Sequence, residues 1–126
     1  MKLVYFGDVM GKSGRVGLDN HLPQIIEILT PDFVIVNGEN AAHGFGITQK
    51  ICGQFFELGV DVITTGNHAW DQREIINYID MEHRLLRPLN YPKHTPGNGS
   101  GIFKARNGAR VFVGQVMGRL FMDSLD

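Results

Sequence analysis

Apolar and polar positions alternate between two rhythms along this chain. Lys2 to Phe6 is a compact β-prone run that Gly7-Asp8 ends. Leu18, Leu22, Ile25, Ile26 and Leu29 then recur at helical spacing and form one apolar stripe. Pro23 lies inside that stripe, which predicts a kink or a late helix start there. Thr30-Pro-Asp32 breaks the helix, and Phe33-Val-Ile-Val36 follows without a polar residue. Such a run reads as a strand buried on both faces of a parallel sheet. Thr48 is placed to cap a second helix, with Ile51, Phe55 and Leu58 on one stripe and Cys52 and Phe56 beside it. Gly59 is its stop.

Val60 to Thr65 predicts the next strand, closed by Gly66-Asn-His68. Asp71 with Glu74 predicts a capping box for a helix carrying Ile75, Ile76 and Ile79. Leu85 to Leu89 reads as a short strand and Tyr91 to Gly101 as a Pro/Gly-rich loop. Gly101-Ile-Phe-Lys104 is expected to pair with Arg110 to Val116 as a hairpin. Repeated strand–helix alternation implies βαβ units, a parallel sheet and an α/β fold with right-handed crossovers.

Composition narrows the class without naming a function. At 126 residues with 43% hydrophobic content, residues 1–126 suit one domain with a single core. A net charge of −1 gives no bulk reason to expect DNA or a membrane surface as partner. The single cysteine, Cys52, excludes an internal disulfide, fits a reducing cytosol, and reads as a small hydrophobe on a helix. The apolar start is too short for a signal-peptide core or a membrane span. The expectation is a soluble, cytoplasmic domain.

The chemistry gathers where strands end. Asp8 follows the first, Glu39 and Asn40 the second, and Asn67 and His68 the third. In an open α/β sheet these carboxyl ends converge on one rim, where ligands bind. Glu39 offers two oxygens after the most buried strand, so it reads as a ligand that bridges a pair of cations. Carboxylate, carboxamide and imidazole suit Mn, Fe(II) or Zn better than a thiolate-loving ion. Two metals about 3.5–4 Å apart could clamp the attacking and leaving oxygens of a displacement at phosphorus. Taken singly, Asp or Asn beside Gly is an ordinary turn former, and His68 could simply cap a helix. Three strands ending alike favour the metal reading.

A nucleotide-binding loop competes at Gly7-Asp-Val-Met-Gly-Lys-Ser13. It has three residues between its glycines where the phosphate cradle needs four, and Asp8 would point a negative charge into it. That reading falls. Lys12 and Arg15 could still meet a substrate phosphate, though a solvated loop accounts for both. Gly97-Asn-Gly-Ser-Gly101 reads as a hairpin connection.

These residues carry a resemblance. Gly7-Asp-Val-Met-Gly-Lys-Ser-Gly-Arg15, Val36-Asn-Gly-Glu-Asn-Ala-Ala42 and Thr65-Gly-Asn-His-Ala-Trp-Asp71 resemble the YmdB-type branch of the calcineurin-like metallophosphoesterases. So do Arg87-Pro-Leu-Asn-Tyr-Pro92 and Gly114-Gln-Val-Met-Gly-Arg119, so the match runs along nearly the whole chain. Broader members of that superfamily carry Asp-x-His. Here no His stands two residues after Asp8, and Glu39 stands where their second Asp would be.

The resemblance implies a four-layer α/β/β/α sandwich, of which this chain looks like the first half: βαβαβα plus a hairpin. It implies Asp8, Glu39 and Asn40 on one metal, Glu39 with Asn67 on the other, and His68 as proton donor to the leaving oxygen. It implies two divalent ions, iron or manganese, and hydrolysis of phosphodiesters, with 2′,3′-cyclic nucleotides as substrate.

Members of the branch are longer, and their later half supplies further histidine ligands. His21, His43, His83 and His94 do not sit in those motifs, although His43 is close enough to Asn40 to approach the site. Two functions therefore stay open. One is a dinuclear-metal phosphodiesterase. The other is a non-catalytic module that keeps a half-site and works by binding or self-association. Apolar residues around Phe112, Leu120 and Phe121 lead us to expect a homo-oligomer.

Overall fold

The computed structural model describes residues 1–122 and Leu125. In chain order it runs β1 (Leu3–Asp8), α1 (Gly11–Leu29), β2 (Phe33–Asn37), α2 (Gln49–Glu57), β3 (Val62–Thr64), α3 (Ile75–Met81), β4 (Leu85–Leu86), β5 (Ser100–Lys104) and β6 (Arg110–Gly114). The first four strands form one parallel sheet in the order β1-β2-β3-β4, and β5 pairs with β6 as an antiparallel hairpin.

Strand β2 is buried at every position, as its unbroken apolar run requires. One face of the sheet, through Val34, Val36, Ile63 and Leu85, packs on Leu18 and Leu22 of α1, Ile51 and Phe55 of α2, and Ile75 and Ile79 of α3. The other face, through Phe33, Ile35, Val62 and Leu86, packs on Val111, Val113 and Phe103 of the hairpin. Helices, parallel sheet and hairpin thus stack as three layers. Each such side chain contributes on the order of 1.5–3 kcal/mol on burial, so the sheet's two-sided core dominates the fold. Arg106 fastens the hairpin to the start of the sheet by donating to Asp61 Oδ2 at 2.7 Å and to the carbonyls of Asp32 and Gly59.

Several local expectations hold. Thr48 Oγ1 accepts from Ile51 N at 3.2 Å and caps α2, and Gly59 follows that helix with φ +101°. Cys52 is fully buried on α2, where burial pushes its thiol up to about 12. The hairpin forms as expected, although its second strand ends at Gly114 and not at Val116.

Others are corrected. Helix α1 does not start late: it begins at Gly11 and runs through Pro23. Pro23 and Asp19, whose carbonyl the proline leaves without a donor, are both exposed, so water can satisfy that group. Strand β4 covers only Leu85–Leu86, because Arg87 turns inward to hold the following loop. Its guanidinium donates to the carbonyls of Pro88, Thr95 and Pro96. The capping box does not form either. Helix α3 starts at Ile75 without a side-chain cap, because Asp71 and Glu74 are both engaged elsewhere.

Candidate active site

The parallel register brings the strand ends together. Asp8 pairs with Asn37 across β1 and β2, after a bulge between Phe6 and Asp8. The turn after β2 therefore sits beside Asp8, and Asn40 Nδ2 donates to Asp8 Oδ1 at 2.8 Å. This leaves Asp8 Oδ2 and Asn40 Oδ1 without another hydrogen bond among the described residues. Neighbouring Gly38 is tied to β3 by its N–H, which donates to the Thr64 carbonyl at 2.9 Å.

Glu39 reaches over the end of β3 and lies directly on Gly66. A Cβ added at Gly66 would stand 1.5 Å from Glu39 Oε2, so only glycine leaves room for that carboxylate. Burial raises the Glu39 carboxyl above its ordinary range, the Asp8 charge raises it further, and His68 pulls it down. Glu39 thus shares one electrostatic neighbourhood with a second carboxylate, which opposes its ionisation, and with an imidazole, which favours it.

His68 Nδ1 donates to Asp71 Oδ2 at 2.6 Å. The contact fixes the ring and leaves Nε2 as the nitrogen available to a ligand. Asp71 is the residue that sequence reasoning missed. Its spacing three residues after His68, inside a turn rather than a helix, is the signal that could have found it. Arg15 also proves to be more than a solvated loop residue, because it is part-buried, donates to the Ala41 carbonyl and latches α1 to the turn after β2.

His83 stacks on Phe103, His94 is exposed in the loop before β5, and His43 is exposed with φ +57°. His21 lines a shallow groove that opens beside Asp8 together with Phe6, Gly14 and Leu18.

The donor chemistry fits half of a metal centre. Asp8, Glu39, Asn40 and Asn67 offer oxygens of the kind that Mn and Fe(II) accept. No group of three or more His, Cys, Asp or Glu that could hold a metal occurs among the described residues, so carboxamides would have to complete the set. The nitrogen half is not among the strand-end residues, His68 apart.

A model of the YmdB-like protein family matches residues 4–126. The chain belongs to that family. It is 44% identical over 126 residues to a 2′,3′-cyclic-nucleotide 2′-phosphodiesterase of Bacillus subtilis, covering 100% of this chain and 47% of that protein. Among solved structures it resembles a hypothetical protein from Thermus thermophilus with TM-score 0.92 and 42% identity, over 100% of this chain and 48% of that one. A novel phosphatase from Mycoplasma pneumoniae superposes with TM-score 0.84 and 36% identity, over 94% of this chain and 43% of that one. The chain thus spans about half the length of these relatives. Its three layers are half of a metallophosphoesterase fold, as the resemblance implied.

Proposed function

We propose that this chain contributes the first half of a metal-dependent phosphodiesterase site whose substrates are phosphodiesters, 2′,3′-cyclic nucleotides in particular. The observation that carries the reading is the meeting of Asp8, Glu39 and Asn40 at the strand ends, with His68, held by Asp71, near enough to Glu39 to favour its ionised form. Asp8, Glu39 and Asn40 would hold one divalent ion and Glu39 with Asn67 the other, iron or manganese, with zinc also compatible. When bound, such ions supply positive charge against the phosphate oxygens and lower the pKa of a water nucleophile.

The chain's own residues supply the rest. Asp71 holds His68 by Nδ1, so that a proton on Nε2 can pass to the oxygen that leaves phosphorus. Asn40 keeps Asp8 oriented through its amide, and Gly66 leaves Glu39 the space to lie across the two halves of the site. The buried, fully protonated thiol of Cys52 takes no part. No helix among the described residues is long and apolar enough to cross a membrane, and a cytoplasmic setting suits both the lone thiol and a small-molecule substrate.

A second reading is favoured by the apolar surface. Leu3 and Tyr5 are exposed on the sheet face beyond the hairpin, and Ile102 and Phe112 form an exposed cross-strand pair. A module that self-associates through these faces would form a homo-oligomer. The deciding experiment loads the protein with manganese and incubates it with adenosine 2′,3′-cyclic phosphate. Release of a nucleoside monophosphate, lost in Asp8→Asn, is the expected result. Metal uptake without turnover would leave only the binding reading standing.

A further inference from the structure

The turn that carries Glu39 and Asn40 also carries an aromatic side chain that the reaction chemistry does not use. Phe45 is 58% exposed, yet its ring meets the His68 ring edge-to-face, with centroids 5.7 Å apart and planes at 89°. Its backbone is held from several sides. Phe45 N donates to the Ala42 carbonyl, Gln72 Nε2 donates to the Phe45 carbonyl at 2.7 Å, and Gly46 N donates to the Glu39 carbonyl at 2.7 Å. His43, Gly44 and Gly46 take positive φ, so the chain reverses within a few residues and presents position 45 outward. A Cβ at Gly46 would stand 2.8 Å from the His68 carbonyl, which packs this turn tightly against the His68 loop.

The backbone at position 45 is thus held, and its ring stands 58% exposed against the His68 edge. Met10, 51% exposed, extends the apolar rim, its sulfur 3.4 Å from where a Gly44 Cβ would stand. The apolar rim thus borders the acids and the imidazole.

We propose that Phe45 is a stacking face for the base of a nucleotide substrate. The proposal rests on the phosphodiesterase reading above and makes that site selective for nucleotides over base-free diesters. In a nucleoside 2′,3′-cyclic phosphate, base and phosphorus are separated by one sugar ring. The Phe45 and His68 ring centroids are 5.7 Å apart, so a phosphorus held near His68 leaves the base within reach of Phe45. Every base has a π-face, so stacking here recognises the nucleoside without fixing which base it is. A pre-ordered ring also loses little freedom on binding.

The test compares adenosine 2′,3′-cyclic phosphate with methyl β-ribofuranoside 2,3-cyclic phosphate, which has the same diester and no base. Stacking of this kind supports a preference of roughly tenfold in kcat/KM. Phe45→Ala and Phe45→Leu should lower the nucleotide-to-riboside ratio by about that factor through KM, and Phe45→Trp should restore it. Equal losses on both substrates would mean that Phe45 only props His68, and an unmoved ratio would overturn the proposal. A second arm needs no turnover: adenosine 3′-monophosphate is titrated into the protein and its adenine H2 and H8 resonances are followed by NMR. Upfield ring-current shifts that vanish in Phe45→Leu are expected, and their absence in the parent refutes the stacking face. If the parent hydrolyses neither diester, the phosphodiesterase reading fails, and the NMR arm still decides the base contact.

Discussion

Replacing Gly66 with alanine tests the metal role of Glu39 without touching Glu39 itself. The added methyl would stand 1.5 Å from Glu39 Oε2 and 2.7 Å from its Cδ. Ordinary contact needs about 3.5 Å, so the carboxylate oxygen must retreat by about 2 Å. That is a whole metal–oxygen bond length, since such bonds span about 2.0–2.2 Å. Disturbing groups that merely orient ligands costs about 10–100-fold in metal affinity, so if Glu39 bridges the ions as proposed, displacing it should cost at least about 100-fold. Stability should change little, because Gly66 φ is not in the left-handed region and Glu39 is only half-buried and can swing outward. Swinging outward also relieves the burial that raises its carboxyl.

The assay is titration calorimetry with Mn(II) on protein dialysed against chelator, alongside thermal melts of the metal-free form. Gly38→Ala is the contrasting variant. Its methyl would stand 2.8 Å from Ile47 Cδ1 and 3.1 Å from Ile63 Cγ2, so it overpacks the core and should cost about 1–3 kcal/mol of stability. Gly53→Ala on α2 meets nothing within 4 Å and should stabilise by about 0.4–1 kcal/mol. A Gly66→Ala protein that folds normally and binds manganese as tightly as the parent would refute a ligand role for Glu39.

Other outcomes follow from the same geometry. His68→Ala should slow hydrolysis of diesters with poor leaving groups by about 10²–10⁴, and far less when nitrophenolate leaves; equal losses would assign His68 to the fold or to a metal. Arg84, through its hydrogen bonds, holds the Glu82 carboxyl below its ordinary range, with burial opposing. The stability that pair contributes should be present above the ordinary carboxylate range and be lost as pH falls through the lowered value. Arg84→Met should flatten that acid limb in pH-dependent melts, and an unchanged limb would count against it. Sedimentation should show a dimer or larger, driven by Leu3, Tyr5, Ile102 and Phe112. A monomer retaining two tightly held metals would overturn both the association and the half-site.

The sheet was legible because its strands announce themselves by composition. Phe33 to Val36 could only be buried on both faces, and the parallel order follows from the helices between strands. Helix starts were less legible. Pro23 reads as a breaker when every proline is assumed to face a carbonyl that needs its N–H. The carbonyl of Asp19 lies at the surface, where water substitutes, and exposure cannot be read from a periodic stripe that only marks the buried side. Strand β4 was overextended for a related reason. Arg87 looks like a continuation of a strand, but its side chain is drawn inward by carbonyls of the loop that follows.

At the site, residue types at strand ends could be read and their partnerships could not. Asp71 and Glu74 match a capping box by spacing, and that local pattern outweighed a competing one, His68 with Asp71. The structure resolves the conflict by energy rather than by pattern. A helix cap recovers one backbone N–H, which water can also reach at an exposed helix start. A carboxylate on His68 Nδ1 instead stabilises an imidazole beside two acids. Glu74, released from the cap, accepts from Gln49 N at 3.1 Å and ties the start of α2 to the segment before α3. The broken cap therefore fixes the His68 ring and couples its loop to the helix that follows the Glu39 turn. Asp71→Asn separates these effects: it keeps the side-chain shape but weakens the hold on Nδ1. It should lower turnover of poor-leaving-group diesters as His68→Ala does, while leaving the unfolding free energy within about 1 kcal/mol of the parent's. Loss of stability without loss of turnover would return Asp71 to the role of a cap.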